Sequence, residues 1–225
     1  MNLATYHNDI EQGTAEWLQI RLGILTASTM KQIITPSRKP ARNEKSRALA
    51  WELAAQRITK HIEPTFETSA MLRGHRDEVF ARDFYSTVYE PATECGFVTR
   101  EFDGIKIGYS PDGLVGDAGL IEIKSRDQKY QLQTIVSDEV PEEYMAQIQT
   151  GLLITGREWL DFISWCGGMP MFVKRVYPDA AFHATIINAA AEFEIDVQSI
   201  VASYELNSLP FHATARYEEA SMDII

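Results

Sequence analysis

Residues 95–124 read CGFVTREFDGIKIGYSPDGLVGDAGLIEIK, and the fold turns on them. Cys95–Phe102 and Ile105–Tyr109 flank Asp103-Gly104, the kind of dipeptide that closes a two-residue β-hairpin because both positions accept a positive φ. Leu114–Val115 and Leu120–Lys124 continue as strands around glycine-rich turns. In the last of these, period-two alternation puts Glu122 and Lys124 on one face and Ile121 and Ile123 on the other. A charged pair inside an apolar strand is costly if that face is core and the charges are unpaired. Asp112 lies in the neighbouring turn, Ser110-Pro111-Asp112-Gly113, so three charged heads can converge on one point.

Outward from this stretch the period changes to that of helices. On the N-terminal side, Thr14 caps Ala15–Leu22 and Gly23 stops it. A short helix is expected over Ala27–Ile34, a loop over Thr35–Arg42, and a helix over Glu44–Lys60 capped by Asn43, with Leu49, Leu53 and Ile58 near one face. A long helix fits Ser69–Tyr89, with Val79, Phe80, Phe84 and Val88 as its buried stripe. On the C-terminal side, Pro141 opens a crossover helix, Glu142–Ile154. Trp159–Trp165 and Met171–Tyr177 pair across Gly167-Gly168, and an alanine-rich helix over Asp179–Leu206 closes the chain. No repeat, low-complexity tract or long linker interrupts residues 1–225, so a single mixed α/β domain is expected, a central mixed β-sheet flanked by helices.

The 225 residues are 45% apolar and 24% charged, which excludes wholesale disorder. No apolar run reaches the length of a membrane helix, and the polar N-terminus does not read as a secretory signal. Two cysteines, Cys95 and Cys166, are too few for a disulfide scaffold or a four-thiolate metal site, so both are expected to be buried thiols in a reduced, cytoplasmic protein. The formal charge of −11 argues against a polyanionic partner until it is placed along the chain. Residues 21–60 hold nine basic side chains against only Glu44 and Glu52, a local balance of +7 in an otherwise acidic chain. Such an island holds polyphosphate locally, or is simply a solvated helical face.

Asp112, Glu122 and the backbone carbonyl of Ile123 form an oxygen-only donor set that suits a hard divalent ion such as Mg²⁺. Lys124 is no ligand while protonated, but it is placed to orient or deprotonate a water near a scissile phosphate. The same residues also fit a surface strand with an ordinary Glu–Lys pair beside an Asp-Gly turn. None of the five histidines has metal-ligand spacing.

Pro111-Asp112…Glu122-Ile123-Lys124 resembles the PD-(D/E)xK signature of the restriction-endonuclease-like nucleases. The chain further resembles the phage lambda exonuclease, or YqaJ-type viral recombinase, family over most of its length. The landmarks come in order: Trp17…Arg21-Leu22-Gly23-Ile24…Thr26-Ala27-Ser28, Gly74…Glu78, Ser110-Pro111-Asp112-Gly113, Glu122-Ile123-Lys124, and Tyr144-Met145-Ala146-Gln147-Ile148-Gln149.

The resemblance implies a restriction-endonuclease-like core and a Mg²⁺-dependent 5′→3′ exonuclease on double-stranded DNA ends. Asp112, Glu122, the Ile123 carbonyl and Glu78 would bind two Mg²⁺ ions, with Mn²⁺ as a substitute. Lys124 would activate the water and Gln147 would approach from the crossover helix. Arg21, Ser28 and Ser110 match positions that hold the 5′-phosphate. Arg38 matches an arginine reaching into the duplex, and Met71 an apolar wedge at the terminal base pair. A ring-shaped homotrimer, a single-strand-annealing partner and a bacterial host cytoplasm are implied in the same way. The segment between Thr35 and Ser69 and the C-terminal helix depart from the pattern. Two other readings remain: a structure-specific endonuclease of the same superfamily, and a non-catalytic DNA-end-binding scaffold.

Overall fold

The computed structural model describes residues 3–64 and 68–216. Two mixed sheets share the chain. The first takes β1 (Thr5–His7), β2 (Leu25–Thr26), β4 (Phe97–Phe102) and β5 (Ile105–Tyr109) in the order β1-β4-β5-β2. The second takes β3 (Ala92–Thr93), β6 (Gly113–Val115), β7 (Gly119–Ser125), β8 (Trp159–Trp165) and β9 (Phe172–Val176), in that order. The expected mixed sheet is therefore present as two, and Ser110-Pro111-Asp112 carries the chain from one to the other. Asp103 and Gly104 close the β4–β5 hairpin with φ of 49° and 84°, the two positive values a type I′ turn demands. β7 and β8 run parallel, which needs a crossover; two helices make it, α4 (Gln128–Ser137) and α5 (Glu142–Thr155). Only α5 was legible in the sequence, because α4 is short and keeps just Gln131 and Thr134 buried.

The N-terminal helices follow their caps. The Thr14 side chain accepts the N–H of Trp17 at the start of α1 (Ala15–Arg21). Asn43 and Ser46 form a reciprocal capping box on α2 (Glu44–Thr59). Ala27–Gln32 is a 3₁₀ helix, shorter and tighter than expected. The main core gathers Leu49 and Leu53 of α2, Ile107 and Tyr109 of β5, Ile148 and Leu152 of α5, and Ile186 and Phe193 of α6 (Ala180–Asn207). Arg57 ties this layer together, donating to the Gly23 carbonyl at 2.7 Å and pairing with both oxygens of Glu194 at 2.6 and 2.8 Å.

A smaller core lies on the other face of the second sheet, under α3 (Ser69–Val88), and it corrects the expected stripe of that helix. Val79, Phe80, Phe84 and Val88 are about half exposed; the buried side is Ala81, Arg82 and Tyr85. The helix meets the sheet through a small residue and two polar-tipped ones. The Tyr85 hydroxyl donates to Asp161 at 2.7 Å, and Arg175 closes on the same carboxylate at 2.8 and 2.9 Å. Cys95 is buried as expected, whereas Cys166 is only half buried.

Candidate active site

The site forms where the chain changes sheets. β6 pairs with β7 only as far as Gly113↔Ile121, so the edge of β7 beyond that point is free for the turn that precedes β6. Asp112 uses it: its Oδ2 accepts the N–H of Ile123 at 2.5 Å. The N–H and C=O of a strand residue face the same edge, so the Ile123 carbonyl faces the Asp112 side as well. Ile121 and Ile123 pack beneath α3, and Glu122 and Lys124 face the other way, as the alternation predicts.

Glu122 is 1% exposed, and both its oxygens are engaged. Oε1 accepts from Lys124 Nζ at 2.7 Å and from Gln147 Nε2 at 2.5 Å; Oε2 accepts from the Tyr109 hydroxyl at 2.9 Å. The Tyr109 ring reaches this position because α5 presents Gly151, where a Cβ would stand 2.7 Å from the ring. From the far side α3 supplies Glu78. Arg82 Nη1, one turn on, bridges Glu78 Oε1 at 3.0 Å and the Asp112 carbonyl at 2.9 Å, while its Nη2 pairs with Glu94. A further clip comes from Gln12, whose amide donates to the carbonyls of Cys95 and Pro111 at 2.8 and 3.0 Å.

The charges are held in tension. Burial and the neighbouring charges of Glu122 and Glu78 push the Asp112 carboxyl well above the usual carboxylate range. Burial also raises Glu78, against the pull of Arg82 and with a push from Glu122. Burial by itself would lower the Lys124 pKa, but Glu122 and Asp112 outweigh it and raise the ammonium pKa above its ordinary value. With those carboxylates unshielded by a cation, Lys124 is held as an ammonium that donates to Glu122.

Asp112 and Glu78, both raised by burial and by the charge of Glu122, together with Glu122 and the Ile123 carbonyl on the Asp112 side, make an oxygen donor set that fits a hard divalent cation. Among the described residues no three His, Cys, Asp or Glu side chains close into a ready cage. Mg²⁺ does not ask for one, since it keeps most of its waters and uses one or two carboxylates.

A cleft of about 1220 Å³ runs from Asp112 and Glu78 past His75 and Met71 to Trp17. Met71 is 44% exposed on this wall rather than part of the core. Near Trp17 lies a second polar group. Trp17 Nε1 and Arg21 Nη1 both donate to Ser110 Oγ, at 2.9 and 3.1 Å, and the Arg21 guanidinium lies 3.8 Å over the Trp17 ring. Burial lowers the Arg21 pKa to about 10, and no carboxylate among the described residues pairs with it. Ser28 belongs to the same end of the first sheet: β2 and β5 pair in parallel at Thr26↔Gly108, and Ser28 and Ser110 each follow by two residues.

Arg38 is placed elsewhere. It sits in a left-handed turn, φ 55°, with its guanidinium on Asp179 at 2.8 Å and 4.6 Å over the Phe182 ring. Arg42 pairs with Glu192 and Arg57 with Glu194, so α6 neutralises part of the basic island.

The sequence reading missed Tyr109, Arg82 and Gln12 as parts of the site. Tyr109 directly precedes Ser110-Pro111-Asp112, and Arg82 follows Glu78 by one helical turn, so adjacency was their only signal. Gln12 carried none.

The model of the YqaJ-like viral recombinase domain family matches residues 16–158. Among solved structures, the alkaline exonuclease LHK-Exo from Laribacter hongkongensis is 32% identical, over 88% of this chain and 100% of that one, with a TM-score of 0.78. A second structure, of LHK-Exo in complex with dAMP, aligns at 31% identity with the same coverage and TM-score. A phage-related exonuclease from Haemophilus somnus shares the fold at 12% identity, over 80% of this chain and 96% of its own, with a TM-score of 0.57. No curated protein matches the chain significantly.

Proposed function

The chain belongs to the YqaJ-like viral recombinase family, and from that premise we propose that it is a Mg²⁺-dependent 5′→3′ exonuclease on double-stranded DNA ends. It releases 5′-mononucleotides and leaves a 3′ single-stranded tail for single-strand annealing. One observation carries the reading: Asp112, Glu122, Lys124 and Gln147 meet at the junction of two restriction-endonuclease-like sheets, and a cleft runs from Asp112 to Trp17, whose ring carries Arg21, an arginine with no carboxylate partner among the described residues. The dAMP complex of LHK-Exo, at 31% identity, supports a deoxynucleotide product.

In this reading Asp112, Glu122, Glu78 and the Ile123 carbonyl hold the metal, two Mg²⁺ ions or Mn²⁺ in their place. Bound there, the ions supply Lewis-acid stabilisation of the charge that develops on the phosphodiester. Lys124 donates toward the same point and orients the attacking water. Gln147 and Tyr109 fix the rotamer of Glu122, so no reorganisation is needed at the moment of reaction.

Arg21, Ser110 and Ser28 hold the terminal 5′-phosphate, which sets the register of the strand; this is a positioning effect. Met71 meets the terminal base pair on the cleft wall. Arg38 reaches the duplex only by leaving Asp179. A homotrimeric ring would keep the enzyme on its track, and a single-strand-annealing protein would receive the tail.

The test is a linear duplex with a 5′-phosphorylated strand, labelled at either end of that strand. A 5′ label should leave at once as mononucleotide while a 3′ label stays on long product, and Lys124→Ala should bind ends without releasing nucleotide. Early release of the 3′ label overturns the polarity. No release by the wild type with Mg²⁺ leaves the end-binding scaffold.

A further inference from the structure

We propose that Arg126 is a second phosphate-binding residue, holding the phosphate that follows the scissile one on the digested strand; this rests on the exonuclease reading above. Arg126 comes one residue after β7, and its N–H still donates to the Trp165 carbonyl of β8 at 2.7 Å, so strand geometry carries through to it. Alternation then sets Glu122, Lys124 and Arg126 in a row along one face. Alternate strand residues are about 6.6 Å apart, which is the reach from one phosphate to the next along a stretched nucleotide chain. Both cations rest on the same ring, with Lys124 Nζ 5.5 Å and the Arg126 guanidinium 5.3 Å from the centroid of Tyr144. That ring is fixed in turn by stacking on Phe162 of β8.

Its unfinished hydrogen bonding distinguishes Arg126 from a structural strut. The side chain is only 9% exposed, held under Tyr130 and Tyr144. A guanidinium carries five N–H donors. Here Nη1 serves the Tyr144 hydroxyl at 2.7 Å and Glu143 at 3.3 Å. Among the described residues Nη2 has no acceptor, and Nε is shut away from solvent without one. Glu143 is 57% exposed, so its ion pair is a weak rim contact. Arg157 offers the contrast. Its Nε is also buried and unpaired, but its Nη1 grips the carbonyls of Gly116 and Gly119 at 2.8 and 2.6 Å, which is the work of a strut in the β6–β7 turn. A desolvated, under-paired guanidinium one step along the strand from Lys124 lacks an anion, and the DNA backbone supplies one there.

The test places one neutral methylphosphonate in a 5′-phosphorylated duplex, moved from the second to the fourth linkage of the digested strand. Single-turnover release of the first nucleotide is then compared for wild type, Arg126→Gln and Arg126→Lys, with a thermal melt to establish that each is folded. In the wild type, neutralising the second linkage should slow release about tenfold or more. In Arg126→Gln, slower from the outset, the same change should have almost no further effect, and Arg126→Lys should keep part of the sensitivity. The salt slope of end binding, measured with Ca²⁺, should also fall by about one contact in Arg126→Gln. If Arg126→Gln is as sensitive as the wild type, or if only the third or fourth linkage matters, Arg126 does not hold that phosphate. Failure of the wild type to release nucleotide from the unmodified duplex would overturn the exonuclease reading instead, and an unchanged salt slope would then overturn the Arg126 contact separately.

Discussion

Removing the 5′-phosphate from the substrate and removing the guanidinium of Arg21 from the protein should delete the same interaction. Burial lowers the Arg21 pKa to about 10, a penalty of about 3 kcal/mol on its charged form. Its polar partner in the structure is the Ser110 hydroxyl at 3.1 Å, which Trp17 also shares. A phosphate dianion at this point would accept charge-assisted bonds worth roughly 1.5–3 kcal/mol each. One such bond made in the reacting complex favours the 5′-phosphorylated end about 10- to 100-fold in kcat/KM. The assay compares initial rates on two duplexes that differ only in a 5′-phosphate or 5′-hydroxyl, at substrate concentrations well below saturation. For the wild type the ratio should fall in that range. For Arg21→Ala it should shrink to a few-fold, the remainder belonging to Ser110 and Ser28, and the variant's rate on the 5′-hydroxyl end should stay near that of the wild type. Equal wild-type rates on the two duplexes, or an Arg21→Ala variant that keeps the full preference, would refute the phosphate pocket.

Three more outcomes follow from the site and its support. Asp112 and Glu78 have higher pKa values folded than unfolded, so the metal-free folded protein binds the extra protons and its stability falls as pH rises through their titration. Mg²⁺ should therefore raise the melting temperature more at pH 8 than at pH 5, and an equal shift at both would contradict the donor set. Tyr109→Phe removes the donor to Glu122 Oε2 at almost constant volume; it should cost about 1–3 kcal/mol by denaturant unfolding and lower kcat, and an unchanged kcat would mean the Glu122 rotamer is fixed without it. Asp161→Ala leaves Tyr85 and the part-exposed Arg175 without their shared carboxylate, so it should cost about 2–3 kcal/mol while kcat stays within a few-fold, since Asp161 faces away from Glu122.

Much of this molecule was legible because its signals are local. Asp103-Gly104 demanded a hairpin, and the alternation of Ile121 to Lys124 placed the charged pair on one face. Thr14 and Asn43 marked helix starts. Glu78, Gln147 and Arg21 were found only through the resemblance, since a helix glutamate or glutamine carries no chemistry in its own spacing. The stripe of α3 was misread because apolar periodicity assumes that the buried face is the greasy one. Here Tyr85 and Arg82 go inward to meet Asp161, Asp112 and Glu94, and the phenylalanines stay out. Gln12 and Tyr109 escaped for a related reason: their roles depend on which carbonyl or carboxylate lies opposite, a tertiary fact with no period. The basic island was also read too simply, since Arg38 faces the N-cap of α6, Asp179, and Arg42 and Arg57 face acids on α6 itself, all more than a hundred residues away.

The most direct test of the central claim is the product formed with Mg²⁺ from one DNA sequence offered in two forms. A linear duplex with 5′-phosphates should yield 5′-mononucleotides and a shrinking duplex with 3′ tails, and the covalently closed circle of the same sequence should yield nothing. Cleavage of the circle, or oligonucleotide products from the linear form, would contradict an end-directed exonuclease.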